Sequence, residues 1–182
     1  MDLLYVAADN ALELDALRND TSGEVAGTCA AGSTTTSVVA ASLLPPPVAL
    51  DEYAARTLVF DDATLTAALR GRHSAISAQT IAGVLTVAAL VVAPARGELF
   101  KVIDYLNAAT VAVTLKDAAG VEVTGETWPF ALAYVTGTKG RYRAILTDAL
   151  VLVAGQIYTA TITVVSGTLN RTFERAFPAV KS

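Results

Sequence analysis

The side chains able to carry chemistry are few. The chain has one cysteine, Cys29, and one histidine, His73. One of each excludes an internal disulfide and an ordinary His/Cys zinc site. Cys29 sits among Thr, Ala and Gly with no basic neighbour to lower its pKa, so it reads as a small buried thiol rather than a nucleophile. His73 stands in Arg70-Gly71-Arg72-His73-Ser74. An anion-binding loop is one reading of that run, and a solvated turn or subunit contact is the favoured one. The carboxylate pairs Asp51-Glu52 and Asp61-Asp62 are the kind that calcium sites and glycosidases use. No Asp-x-Asp-x-Asp-Gly loop surrounds them, and adjacent acids on a strand point to opposite faces, so they read as turn residues. Arg141 and Arg143, two apart on one strand face, suit either acids of a neighbouring subunit or plain solvation, the default. The sequence offers no Ser-His-Asp set, phosphate loop or metal constellation. The expectation is no catalytic residue, no cofactor and no metal ligand, hence no enzyme.

The rest of the composition bounds the partners. Of 182 residues, 53% are hydrophobic and only 16% charged, against roughly 25% charged in ordinary globular domains. Such a chain folds rather than stays disordered, into one large domain or two small ones. A net charge of −4 argues against a nucleic-acid partner. The most apolar run, Val84 to Ala95, is broken by Thr86 and closed by Pro94. That is far short of the ~20 residues a bilayer span needs, so no membrane partner is expected. Met1-Asp2 is an acidic start with no basic segment, and no secretory signal is expected either. Two explanations fit the apolar excess: an alanine-rich coding bias, or apolar surface that an assembly covers.

The elements that must position these residues are strands. Residues 110–115 alternate apolar and polar, and Lys116 to Gly120 turns. Val121-Glu122-Val123 begins again, and Trp128 to Val135 follows, closed by a glycine-containing turn. Residues 141–146 alternate, Ile157 to Val165 places Tyr158, Ala160, Ile162 and Val164 on one face, and Arg171 to Phe177 comes last. Short strands at this spacing predict a sandwich. Trp128 with Leu132 and Tyr142 supplies its aromatic core. Leu152, Gly155 and Tyr158 fit a tyrosine corner, in which the Tyr bonds back to the preceding loop backbone.

Upstream, Leu3 to Ala7 and Ala11 to Leu17 are candidate strands. Between residues 26 and 103 the texture changes. Strands are predicted near Ser37 to Ala41, Thr57 to Phe60, His73 to Ala78, Val84 to Ala88 and Leu99 to Ile103. Asp51 to Arg56 is read as one helical turn, and Asp61 to Arg70 is open between a short helix and a loop. Pro45-Pro46-Pro47 must be an extended loop. This segment holds five of the 13 basic and five of the 17 acidic residues, so the whole net charge lies outside it. The predicted organisation is residues 1–25 with 104–182 as one domain, and 26–103 as a second inserted in it.

The stretch Asn107 to Gly120, with Trp128-Pro129 through Tyr134-Val135 and Gly140-Arg141-Tyr142-Arg143, resembles the small immunoglobulin-like domains of tailed-bacteriophage virion proteins. In the proteins it resembles, a segment like Asp2 to Gly23 runs almost directly into the strand equivalent to Ala109–Leu115. Here 78 residues, Ala26 to Ile103, intervene. They resemble a second phage module, with its Gly-x-x-x-x-Gly-Ser-Thr-Thr-Thr opening, a Tyr-x-x-Arg-Thr-Leu-Val-Phe strand and a Pro-x-x-Gly-x-x-Phe close. The resemblance implies an all-β chain: an Ig-like β-sandwich carrying a small β-barrel-like domain near its N-terminus.

It further implies a structural component of the virion, assembled in the host bacterial cytoplasm and placed at the neck, head–tail connection or tail. Such a subunit acts as a homo-oligomer around a symmetry axis and bridges other virion proteins. The rival readings are a capsid decoration protein and a receptor- or carbohydrate-binding module of a fibre or baseplate. The expected contact is the stiff apolar run Leu43, Leu44, Pro45, Pro46, Pro47 and Val48, with Arg141, Arg143 and the chain ends, 1–5 or 177–182, as further candidates.

Overall fold

In the computed structural model, residues 3–20 and 22–181 are described. Thirteen strands and one 3-10 turn follow one another: β1 (Leu4–Val6), β2 (Asn10–Leu14), β3 (Val25–Cys29), β4 (Ser37–Leu44), β5 (Thr57–Phe60), the turn Ala67–Leu69, β6 (His73–Gln79), β7 (Val84–Val87), β8 (Leu99–Ile103), β9 (Thr110–Lys116), β10 (Phe130–Tyr134), β11 (Tyr142–Leu146), β12 (Ile157–Ser166) and β13 (Leu169–Lys181). The described chain is all-β, and none of it is a helix long and apolar enough to cross a membrane.

The chain divides into two compact units, 1–17 with 106–182, and 18–105. The lower boundary therefore falls eight residues before the expected 25/26, and the upper one two residues after 103/104. The reason is local pairing: Arg18 bridges to Tyr105, and the Asn19 amide donates to the Asp104 carbonyl at 2.8 Å. Arg18, Asn19 and Ser22 are thus tied to Asp104 and Tyr105, just past β8.

The first unit is a seven-stranded sheet in the order β1-β13-β12-β9-β10-β11-β2. Every pairing is antiparallel except β1 on β13. All seven strands contribute to one core, from Leu4 and Leu12 through Val113, Leu132 and Leu146 to Ile162 and Phe177. Since edge strands and central strands share that core, the sheet wraps around it. Tyr158, Ala160, Ile162 and Val164 are all buried, the alternation a half-buried strand requires. Val121-Glu122-Val123 makes only an isolated bridge at Glu122 rather than a strand, because Val121 is held instead in the Asp117 turn, its amide donating to that carboxylate at 2.9 Å. Gly140, at φ +65°, lies where a Cβ would come within 2.2 Å of the Leu17 carbonyl oxygen, so only glycine lets the chain pass there.

The second unit is a closed barrel, β3-β4-β7-β6-β5-β8. Its interior holds Val38, Leu58, Phe60, Leu85, Phe100 and Val102. Phe60 and Phe100 meet edge to face at 6.4 Å, and the Phe100 ring lies over Gly27, where a Cβ would stand 2.4 Å away. Glycine in mid-strand is explained here by close approach of a neighbour. Residues 51–55 form hydrogen-bonded turns rather than a helical turn, and Asp61–Arg70 resolves into a turn followed by the 3-10 segment.

Candidate functional site

The triple proline and its flanks form the most exposed apolar feature of the barrel unit. The pairing of β4 with β3 shifts register at Thr28/Cys29. At the end of the strand Leu43 points into the barrel and is 6% exposed, whereas Leu44 points out and is 67% exposed. Leu43 is thus mostly a core residue, and what it leaves exposed lies on the groove beside the prolines. Beyond Leu44 the prolines cannot continue the ladder. The loop nonetheless does not hang free. The Tyr53 hydroxyl donates to the Pro45 carbonyl at 2.9 Å, and the Val48 amide donates to the Glu52 carboxylate at 2.7 Å. Asp51 accepts from the Gln79 amide at 2.7 Å, and the buried Gln79 side chain accepts from the Tyr53 amide at 3.3 Å.

Tyr53 itself is buried, and the Arg56 guanidinium lies 5.1 Å from its ring centroid. Burial, ahead of the neighbouring Glu52 charge, raises the phenol above its ordinary range. These contacts hold Leu44, Val48 and Leu50 outward, with Val48 83% exposed. Beside them Ala40, Ala41, Pro46, Pro47, Ile81 and Ala82 line a shallow groove without an ionisable side chain. The arrangement presents rigid apolar surface, and such surface docks with little loss of side-chain freedom.

The other predicted residues are spent on structure. Cys29 is buried, and its thiol is pushed up to about 12 by burial and, second, by the Glu98 charge. His73 opens β6 on the surface opposite Val59. Arg70, which an anion loop would need, donates to the Thr64 carbonyl at 2.8 Å and so braces its own loop. Asp61 accepts from the Ala63 amide at 2.9 Å, a side chain closing a turn.

Arg141 and Arg143 both engage Glu13 of β2 in the same chain, Arg143 at 3.4 Å. In place of the default solvated face, both pair with an acid of the same chain, which the pairing of β2 with β11 brings opposite Arg143. That contact holds the Arg141 guanidinium above its usual range, through the hydrogen bond first and the charge second. No group of three His, Cys, Asp or Glu among the described residues is placed to hold a metal ion.

Of the expected aromatic core, Tyr142 and Tyr158 are buried and Trp128 is only half-buried. Trp128 lies outside the strand predicted to contain it, since β10 begins at Phe130. Its indole donates to the Val123 carbonyl at 2.6 Å, which keeps the ring at the margin of the core. Tyr142 donates to the Leu106 carbonyl at 2.6 Å and accepts from the Ala109 amide at 2.8 Å. Its phenol is raised, by burial above all. Tyr158 accepts from the Val153 amide at 2.9 Å, the loop contact that its position after Gly155 predicts.

Sequence reasoning missed Glu98. Its side chain is fully buried in the barrel unit and accepts from the Leu65 and Thr66 amides at 2.6 and 2.9 Å, and from the Thr66 hydroxyl. A carboxylate so ligated by amides is stable without a cation. Only the glycine before it hinted at a tight local turn. Met1, Asp2 and Ser182, parts of the expected terminal contacts, lie outside the described residues, as does Thr21. Compared with protein-family models, curated proteins and solved structures, the chain has no match in any of the three.

Proposed function

We propose that the chain is a non-enzymatic structural component of a tailed-phage particle, at the neck, head–tail connection or tail, acting by symmetric self-association and by bridging other virion proteins. The wrapped seven-stranded sheet is read as an Ig-like sandwich, the finer class suggested by the resemblance of residues 107–143. The observation carrying this reading is the braced apolar loop, with Leu44, Val48 and Leu50 held in solvent over an uncharged groove. Isolated exposed leucines are ordinary, but a pinned cluster of them beside a groove is what interfaces use.

Sedimentation of the purified chain, together with its copy number in particles, tests the proposal. Association that Leu44→Asp with Val48→Asp weakens, and six or twelve copies per particle, are expected. Hundreds of copies would replace it with the capsid decoration reading, and binding on a glycan array with the receptor reading. A strict monomer absent from particles would end all three.

A further inference from the structure

We propose that two copies of this chain join through the outer edge of β13, which pairs with itself in antiparallel register about a two-fold axis at Thr172. This deepens the self-association reading above but uses a different surface from the barrel loop. β13 is bonded along its whole inner side to β12, from Ile157↔Pro178 to Ser166↔Leu169. On its other side β1 meets only Ala179, Val180 and Lys181. Among the described residues no strand pairs with that side from Leu169 to Pro178. Arg175, however, reaches the Glu13 carbonyl of β2 at 3.5 Å, so the stretch left open ends at Glu174. An open edge presents a row of backbone donors and acceptors, and another strand is their natural complement. Asn170, Thr172 and Glu174 are exposed, and Phe173 is 38% exposed.

The charges choose the occupant and its register. A two-fold axis that pairs antiparallel strands runs perpendicular to the sheet, so it keeps each face on its own side. The two residue numbers in a cross-strand pair must then share parity. An axis at Phe173 sets Arg171 opposite Arg175 of the second copy, twice over. An axis at Glu174 sets the two Glu174 carboxylates against each other, and one at Arg171 does the same with guanidinium groups. Like charges directly opposite destabilise a pair.

The axis at Thr172 avoids all of these clashes. It puts threonine against threonine, Asn170 opposite the second copy's Glu174 on one face, and Arg171 opposite its Phe173 on the other. The first is a stabilising strand pair, the second an amide–carboxylate hydrogen bond, and the third a guanidinium over an aromatic ring. Five residues, Asn170 to Glu174, thus form a self-complementary strip. Of the axes from Arg171 to Glu174, the charges admit a second copy only at Thr172.

The test uses the full chain and cysteine scanning, since Cys29 is buried and does not compete. Under mild oxidation Thr172→Cys is expected to give mostly disulfide-linked dimer, because the two thiols face each other across the axis. Glu174→Cys faces Asn170 and should remain mostly monomer. Both variants are first checked for native circular dichroism, and two milder variants extend the test. Asn170→Asp should weaken the dimer in sedimentation at least tenfold by opposing Glu174, and Asn170→Lys should strengthen it. Equal crosslinking of both cysteine variants, crosslinking of neither, or a dimer indifferent to residue 170 would overturn the proposal. These outcomes are separate from the Leu44 and Val48 substitutions, which leave β13 untouched.

Discussion

The barrel and the open sheet solve the same problem differently. Each barrel strand has two strand neighbours, so the barrel has no free edge, and its exposed apolar surface comes from a loop braced by side chains. The seven-stranded sheet ends in β1 and β2 and leaves most of β13 uncovered on one side. Its available surface is therefore backbone. Both units hold their loops with buried polar side chains. The barrel unit ties its loops with the buried carboxylate of Glu98, the amide of Gln79 and the hydroxyl of Tyr53, and the open sheet with the buried amide of Asn10 and the hydroxyls of Tyr142 and Tyr158. A unit whose strands are all paired must hold its long connections by other means, and buried polar side chains with full partners provide one.

The sharpest way to break this comparison is to empty the barrel. Phe100→Ala should cost ~3–5 kcal/mol in denaturant unfolding, since the ring is fully buried against Phe60 and Gly27. A loss below ~1 kcal/mol would mean that strand closure, not the packed interior, holds the barrel. Glu98→Ala should come next, at on the order of 2–3 kcal/mol, because the Leu65 and Thr66 amides lose their acceptor. Hydrogen exchange should speed up at residues 64–70 and stay unchanged in β9 and β12.

In the open sheet, Tyr142→Phe should cost roughly 1–2 kcal/mol by orphaning the Ala109 amide. Trp128→Ala should cost about the same, well under the value for a fully buried aromatic, and thermal unfolding of the two variants measures both. The smallest effect is at Cys29. With its thiol pushed up to about 12 from 9, it should resist alkylation at pH 8 in the folded chain and react on unfolding. The unfolded thiol ionises first, so the stability it contributes is whole below pH 9 and is lost as pH rises toward 12.

What the sequence determined by itself was periodicity and punctuation. β5 and β8 fall at the predicted residues and β12 within one residue of them, because alternation with flanking Gly and Asp turns depends only on neighbours along the chain. The three prolines likewise specify a loop from local sterics alone. The limits of that loop were not local: Leu43 is inside because β4 runs on beside β3, and the residue pairs of that ladder lie up to 18 positions apart.

The tertiary structure also decided the partners of the charges. Glu13 meets Arg141 across 128 residues of sequence and Arg143 farther still, and Glu98 meets the Leu65 and Thr66 amides across 33 and 32. Charge pattern cannot reveal such pairs, since Coulomb and hydrogen-bond energies depend on distance in space. The open edge of β13 was invisible for the same reason. Whether a strand has one neighbour or two is a property of the assembled sheet, and no residue within the strand records it.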